Sequence, residues 1–423
     1  MGIKKLFTFL ENNNLYKKYS YLNDLVTELG INKSKLLVGV DGNLFCYKYT
    51  HSYDNMLIGF FNQILKFLSN KIIPIYIFDG GTLQEKENTI LIRNHKKILS
   101  KYKLVKIEEQ IQCINDDILN ENNIIDKEEL LLIKKKLEKK SIKINNNNII
   151  ILLELFDLLN IPYLFSHGEG EYLAVMLNKY FIIDFFLTDD TDPIPAGIHR
   201  TIKFYNNAVY YLETKQIYKS LNLNKNEFCD FCILLGTDYA VFNHGYKPNE
   251  LYELILKHKT IEEIVSKNII ECINNESLVL INKIRNIYFY SEDFEKDMFL
   301  KKKYMFDDDI DNKSNVNIND ELLIKSSVNM LIDYNDLSFY SNIILEFWDE
   351  YIDVISENLN EINQDIIIKK SIALKSNICK HVCKSKFNIK NIIKFIKNNI
   401  GDITTNEIDN IITSFQFLNN FGI

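Results

Sequence analysis

Short apolar runs and longer amphipathic stretches take turns along the first half of the chain. Lys35–Asp41 (KLLVGVD) and Ile72–Asp79 (IIPIYIFD) are continuous apolar runs ending in a carboxylate, the pattern of strands buried on both faces. Between them, Asn55–Ser69 has helical spacing; further on, Asn147–Leu159 reads as a helix, Ile161–Phe165 as a strand, Glu171–Tyr180 as a helix and Ile182–Thr188 as a strand. Strands alternating with helices imply right-handed crossovers and a mostly parallel central sheet flanked by helices, an α/β fold. Pro193 and Pro195, directly after the last strand, predict extended backbone there. From about Leu212 the pattern turns helical, with helices predicted at Thr214–Leu221, Glu227–Leu235, Glu250–Leu256 and Ile261–Ser266. The asparagine runs Asn12–Asn14 and Asn145–Asn148 read as loops, and no internal repeat is visible.

These periods divide the chain. Residues 1–105 form an N-terminal region, 86–143 a long charged insertion, 147–270 an internal region and 271–423 a mainly helical C-terminal region. An acidic stretch at Asp307–Asp320 reads as a loop or linker, and the Lys369–Lys397 tract holds nine lysines and no acid. Over the whole chain, 50 basic residues face 57 acidic ones, a net charge of −7, so a uniformly basic nucleic-acid coat is excluded and any such binding rests on local patches. Seven scattered cysteines predict a reducing, intracellular compartment, and no apolar run reaches the roughly 18 residues of a membrane span. Cys229-x-x-Cys232 and the Cys379, His381, Cys383 group fit no common zinc spacing and read as packing residues.

The strand-end acids carry the chemistry. In open α/β sheets, sites form outside the carboxyl ends of the strands. Three predicted strands deliver Asp41, Asp79 and the pair Asp190 and Asp192 to that edge. Glu169 and Glu171 precede a helix, and Asp238 follows one in Leu234-Leu235-Gly236-Thr237-Asp238-Tyr239. Each has a local reading: Asp41 and Asp79 as turn residues before glycine, Glu169 and Glu171 as first-turn acids, Asp238 as a cap. Together they describe carboxylates converging on one rim, which would repel one another unless hard divalent cations sat among them. Oxygen-only ligands suit Mg²⁺ or Mn²⁺, and two such ions about 4 Å apart clamp the attacking and leaving oxygens of a phosphodiester.

The motifs resemble the flap endonuclease/XPG family of structure-specific 5′ nucleases. Met1-Gly2-Ile3, Val38-Gly39-Val40-Asp41, Ile77-Phe78-Asp79-Gly80, Ile161-Pro162-Tyr163, Glu169-Gly170-Glu171, Thr188-Asp189-Asp190-Thr191-Asp192 and Cys232-Ile233-Leu234-Leu235-Gly236-Thr237-Asp238-Tyr239 match that family's blocks across roughly residues 1–270. The resemblance implies a PIN-like nuclease core with a helical arch and a helix-hairpin module. It also implies two Mg²⁺ ions, replaceable by Mn²⁺. Asp79, Glu169 and Glu171 would hold one, with Asp41 nearby, and Asp190, Asp192 and Asp238 the other. Lys86 and Arg93 would reach from the arch to the scissile phosphate, Tyr47 would stack on a base, and Gly2, Lys96, Lys97, Gly245 and Lys247 would contact DNA. The hairpin departs from the family: Gly245 is kept, Lys247 replaces the second glycine, and Asn249 and Glu250 stand where positive charge is usual. The lysine-rich tract is the candidate compensation for that loss.

The function implied is cleavage of 5′ flaps in branched or nicked duplex DNA, with 5′–3′ exonuclease activity in replication, repair or recombination. The alternatives are a bubble- or Holliday-junction-cutting relative and a non-catalytic junction scaffold. The implied protein is a monomer without a membrane anchor, acting in the nucleus (a host nucleus if viral) or alternatively the cytoplasm. The terminal Phe415–Phe421 segment lacks the aromatic spacing of a sliding-clamp motif.

Overall fold

The structure is a computed structural model and describes residues 2–31, 36–53, 55–80, 100–109, 131–134, 137, 144, 146–166, 169–289, 372–379, 382, 388–401 and 413. Seven strands form one sheet: β1 (Lys17–Tyr19), β2 (Leu36–Asp41), β3 (Ile72–Phe78), β4 (Tyr163–Phe165), β5 (Phe185–Leu187), β6 (Arg200–Tyr205) and β7 (Ala208–Glu213), in the order β1-β7-β6-β5-β2-β3-β4. From β6 through β5, β2 and β3 to β4 every neighbouring pair is parallel. The other edge is antiparallel, β6 with β7 and β7 with β1. The chain runs outward from β2 through β3 to β4, then returns to β2's other side as β5, so the direction of winding reverses between β2 and β5. Ligands of such sheets collect at that reversal, outside the carboxyl ends.

Alternation along the central strands builds two cores. Leu36, Val38 and Val40 of β2 and Ile72, Tyr76 and Phe78 of β3 point into one, while Leu37, Ile73, Ile75 and Ile77 point into the other. Helices α3 (Gly42–Ser52), α4 (Met56–Ser69) and α5 (Asn146–Leu158) cover the first. Its centre is aromatic, with Phe156 stacked on Tyr76 at 4.4 Å between ring centroids. The second core is closed by α1 (Leu6–Asn12), α6 (Gly170–Lys179), α7 (Thr214–Leu221), α8 (Lys225–Leu235), α9 (Pro248–His258), α10 (Ile261–Ser266) and α11 (Asn275–Phe289). The short α2 (Leu22–Glu28) lies beside β1. Arg285 of α11 reaches Asp230 of α8 at 2.6 and 2.7 Å and Glu262 of α10, so one guanidinium ties three helices. Among the described residues, no helix is long and apolar enough to cross a membrane.

Two expectations change, and one element is new. Pro193 and Pro195 do not extend the chain: residues 192–197 fold into successive turns, closed by Ile194 N–H to Thr191 and Ile198 N–H to Pro193 carbonyls, because burial of Ile194 and Ala196 outweighs the local preference. The Asn145–Asn148 run is not all loop, since Asn146–Asn148 open α5, whose apolar side is anchored in the core. The β6–β7 hairpin, absent from the sequence reading, turns on Asn206 and Asn207, both with positive φ (48° and 56°), as a two-residue hairpin turn requires.

Of the C-terminal region, α12 (Ile389–Asn399) packs Ile392, Phe395 and Ile396 into the first core. Lys375, in the helical stretch 372–379, grips Asp184 at 2.6 and 2.7 Å. That lysine of the basic tract therefore serves an internal ion pair. Cys229, Cys232 and Cys379 are buried in the second core.

Candidate active site

β2 ends at Asp41, which immediately starts α3: its Oδ1 accepts the Leu44 amide at 2.9 Å, an N-cap. Its Oδ2 accepts the Thr188 hydroxyl at 2.9 Å, from the end of β5. The same Thr188 Oγ1 accepts the Asp190 amide at 3.0 Å, and Asp190 Oδ1 takes the amides of Thr191 (2.6 Å) and Asp192 (3.3 Å). One chain of hydrogen bonds thus runs from β2 to the loop after β5. On the other side, β3 hands off to Asp79, whose Oδ1 accepts the amide of Gly170 at 2.6 Å and whose other oxygen accepts from Asn43. The fit is close: a Cβ on Gly170 would sit 3.2 Å from both Asp79 Oδ1 and the Phe78 carbonyl carbon. This contact seats the start of α6, with Glu169 just before it and Glu171 in its first turn, against the end of β3.

Tyrosines assemble the rest. Glu169, 6% exposed, accepts from the Tyr239 hydroxyl at 3.3 Å, and Tyr239 in turn meets the Tyr172 hydroxyl at 2.5 Å. Asp192, 1% exposed, accepts from the Tyr288 hydroxyl at 3.2 Å. Burial, followed by the carboxylates of Glu169 and Asp192, pushes the Tyr239 phenol far above its ordinary value, so it remains a donor. Burial and Asp192 do the same to Tyr288. Asp238 lies between Thr237 and Tyr239 in a turn whose amides, Tyr239 and Ala240, both donate to Thr237 Oγ1 at 3.2 Å. Thr237 caps this turn through its hydroxyl.

The structure brings Asp79 and Asp190 each into electrostatic range of Asp41. Burial raises Asp41 from 3.8 to about 7, and the charges of Asp79 and Asp190 add to the rise, against the opposing hydrogen bonds from Leu44 and Thr188. Glu169 and Asp192 join through Tyr239. Glu171 stands in the first turn of α6, and Asp238 in the turn after α8. Among the described residues, no three acidic, histidine or cysteine side chains are gathered into a ready coordination shell; the carboxylates turn to hydroxyl and amide donors around the rim. The donor set is all oxygen, and an aspartate pushed up to about 7 by burial, with the charges of Asp79 and Asp190 adding to the rise, is what a hard divalent cation would relieve, so these residues fit Mg²⁺ or Mn²⁺.

The amino terminus is part of the rim. Gly2 has φ +77° and its Cβ position falls 1.8 Å from Asp190 Oδ1; Ile3 N–H donates to Thr191 Oγ1 at 3.0 Å and Lys4 N–H to the Gly236 carbonyl at 2.9 Å. Gly2 therefore packs directly on a candidate ligand. Tyr47 is half-buried on α3 against the first core, and the neighbouring Lys48 pairs with Asp189 at 3.0 Å.

The predicted hairpin is present as α8, a loop and α9. Gly245 has φ +77° with open space about it. Lys247 is the N-cap of α9, and its amide donates to Glu250 at 2.6 Å, so the helix supplies its own anion where the sequence lacks the usual basic residue. Lys86, Arg93, Lys96 and Lys97 lie outside the described residues; within the 86–143 insertion, 100–109 and 131–134 are helical and joined by Lys134 to Glu108 at 3.0 Å. Sequence reasoning missed Thr188, Asn43, Tyr172 and Tyr288 as organisers of the site. Thr188 opens one of the motif blocks, whereas Tyr288 carries no local signal.

Known proteins share these blocks. The XPG N-terminal domain matches residues 1–99 and the XPG I-region matches residues 160–238, the two segments that supply every rim acid. The chain belongs to the XPG family. It is 25% identical over 236 residues to flap endonuclease 1-B of Xenopus laevis, covering 54% of this chain and 57% of that one. Human flap endonuclease 1 is 27% identical over 217 residues (50% of this chain, 52% of that one). A probable RAD2-like endonuclease of invertebrate iridescent virus 6 is 24% identical over 357 residues, 72% of this chain and 84% of that one. The chain thus spans about half the length of these vertebrate relatives. In fold, this XPG-family chain is similar to the catalytic core of Rad2 in complex with DNA substrate, with a TM-score of 0.51, 15% identity and coverage of 98% of this chain and 100% of that one.

Proposed function

We propose that this XPG-family chain is a divalent-metal-dependent, structure-specific DNA endonuclease that cuts 5′ flaps and removes 5′ nucleotides. The observation that carries the reading is the joining of Asp41, Asp79 and Asp190, from the ends of three parallel strands, at the point where the sheet reverses its winding. Bound divalent ions, two by analogy with the family, would supply Lewis acidity at the scissile phosphate and neutralise its charge. Asp79, Glu169 and Glu171 would hold one ion and Asp190, Asp192 and Asp238 the other. The protein's own residues orient this set: Thr188 steers Asp41, the Gly170 amide fixes Asp79, and Tyr239 and Tyr288 keep Glu169 and Asp192 in place by donating protons they do not lose.

On the DNA side, Lys86 and Arg93 would steady the phosphate, Tyr47 would stack beside the cut, and Lys96 and Lys97 would guide the single strand. Gly245 and Lys247 would touch the duplex only weakly, given that Glu250 already occupies the start of α9.

The test is a labelled 5′-flap duplex with Mg²⁺, wild type beside Asp190→Asn, with bubble and four-way-junction substrates in parallel. Cutting near the flap junction that vanishes in the variant supports the proposal. Preferential cutting of the junction or bubble transfers it to those relatives, and binding without cleavage in Mg²⁺ or Mn²⁺ refutes it.

A further inference from the structure

On the opposite edge of the sheet lies a second, unrelated concavity of about 620 Å³, the size of a small-ligand pocket. It opens where β5 and β6 begin, where α6 ends and where α7 starts. The Leu37 amide bonds Asp184 in its wall at 2.9 Å, whereas Asp41, four residues on, lies at the other rim, roughly 13 Å along the strand.

Its charge is positive. Lys179, Arg200, Lys215 and Lys225 line it against Glu213 and Asp184. Asp184 is neutralised by Lys375 at 2.6 Å, and Glu213 accepts from Tyr211 at 3.4 Å. Among the described residues neither Arg200 nor Lys215 is in an ion pair. The wall also holds two buried hydroxyls that no partner satisfies, Thr214 Oγ1 and Tyr218 Oη, and Thr214 is only 3% exposed. Buried polar groups are rarely left so, and each one calls for an explanation such as a ligand. Thr214 is the first residue of the eight-residue α7, and no side chain caps that helix. A helix start with its hydroxyl unsatisfied beside lysine and arginine is arranged for an anion.

The apolar half of the cavity offers rings. Phe181 is 49% exposed although its backbone is held at φ +60°, and it packs on His199 with centroids 5.6 Å apart. Lys225 Nζ sits 5.0 Å from the Phe289 ring. Phe181 is the exposed ring and Phe289 a partly buried one, and rings bordered by cations are how nucleic-acid bases and phosphates are bound together. Burial and the charges of Arg200 and Lys179 lower the His199 pKa, which is consistent with a positive wall.

We propose that this cavity binds a nucleotide, its phosphate held by Thr214, Arg200 and Lys215 and its base set between Phe181 and Phe289. The site is independent of the nuclease reading, and its occupant is either a free mononucleotide or one nucleotide of a single strand. Equilibrium dialysis of the full chain in EDTA, where the acid rim repels phosphates, tests it. The probes are thymidine 5′-monophosphate, thymidine, inorganic phosphate and a short oligothymidylate. Saturable one-to-one binding of the monophosphate or the oligomer is expected, the first pointing to a free nucleotide and the second alone to a strand. Thr214→Val should weaken it about 5-fold and the Arg200→Gln, Lys215→Gln pair at least about 10-fold. Thr214→Val keeps the shape and removes an unsatisfied hydroxyl, so its urea unfolding midpoint should hold or rise, which separates lost binding from lost folding. Mg²⁺-dependent flap cutting by the same variants should persist. No saturable binding, binding unchanged in both variants, or thymidine or phosphate binding as tightly as the monophosphate overturns the proposal.

Discussion

Asp41→Asn should stabilise the metal-free protein while abolishing cutting. In the fold this carboxyl titrates near 7 instead of 3.8, because burial and the charges of Asp79 and Asp190 disfavour its ionised form. The unfolded chain releases the proton near 4, so between about 4 and 7 the folded state binds more protons. Stability at this residue is therefore greatest at low pH, falls as pH rises through that window, and is flat above it. The two values correspond to roughly 4 kcal/mol. Asp41 is partly open to solvent, which screens its neighbours and reduces the expected effect to about 1–2 kcal/mol. Asparagine is nearly isosteric: its Oδ1 still accepts the Leu44 amide, and the Thr188 hydroxyl can rotate to accept from its amide. Urea unfolding in EDTA at pH 5 and pH 8 measures the difference. The variant should gain on the wild type between these values by about 1–2 kcal/mol, and Mg²⁺ at pH 8 should stabilise the wild type more than the variant. A gap that does not change with pH, or a variant that loses ground as pH rises, would refute the electrostatic reasoning.

Gly2→Ala should reduce cutting at least about 10-fold with little loss of fold, because a Cβ must displace Asp190 and the backbone is left-handed there; Mg²⁺ titration of activity should show a higher half-saturating concentration. Lys86→Ala and Arg93→Ala should slow flap cleavage while leaving duplex binding largely unchanged in gel-shift titration; equal loss of binding would mark them as surface charge. Arg285→Ala leaves Asp230, 4% exposed at its side chain, without its counter-ion and should cost about 3 kcal/mol in urea unfolding at neutral pH.

The central strands were legible because burial on both faces removes the polar alternation and leaves unbroken apolar runs, as in Ile72–Phe78, where all seven residues are buried. The helices Thr214–Leu221 and Ile261–Ser266 match their predicted bounds, since each has a clear polar side and its end is marked by a cap or turn residue. The antiparallel edge was less visible. Its signal was the Asn206-Asn207 pair between β-rich segments, and the partly exposed Arg200–Tyr205 strand does not read as an apolar run. Around Pro193 and Pro195 the local rule was overridden by burial of Ile194 and Ala196, information that lies in the packing of distant elements.

For the site, local sequence determined the acids themselves, because strand-end carboxylates and their glycine neighbours form compact motifs whose chemistry is intrinsic to the residue types. It could not say which ends meet. That was decided by strand order: β5 returns beside β2, so residues 147 positions apart, Asp41 and Thr188, come within 2.9 Å. Tyr288, which donates to Asp192 from the last described turn of α11, and Gly2, which lies against Asp190, acquire their roles the same way. A hydrogen bond depends on separation in space, and only the folded chain sets that separation.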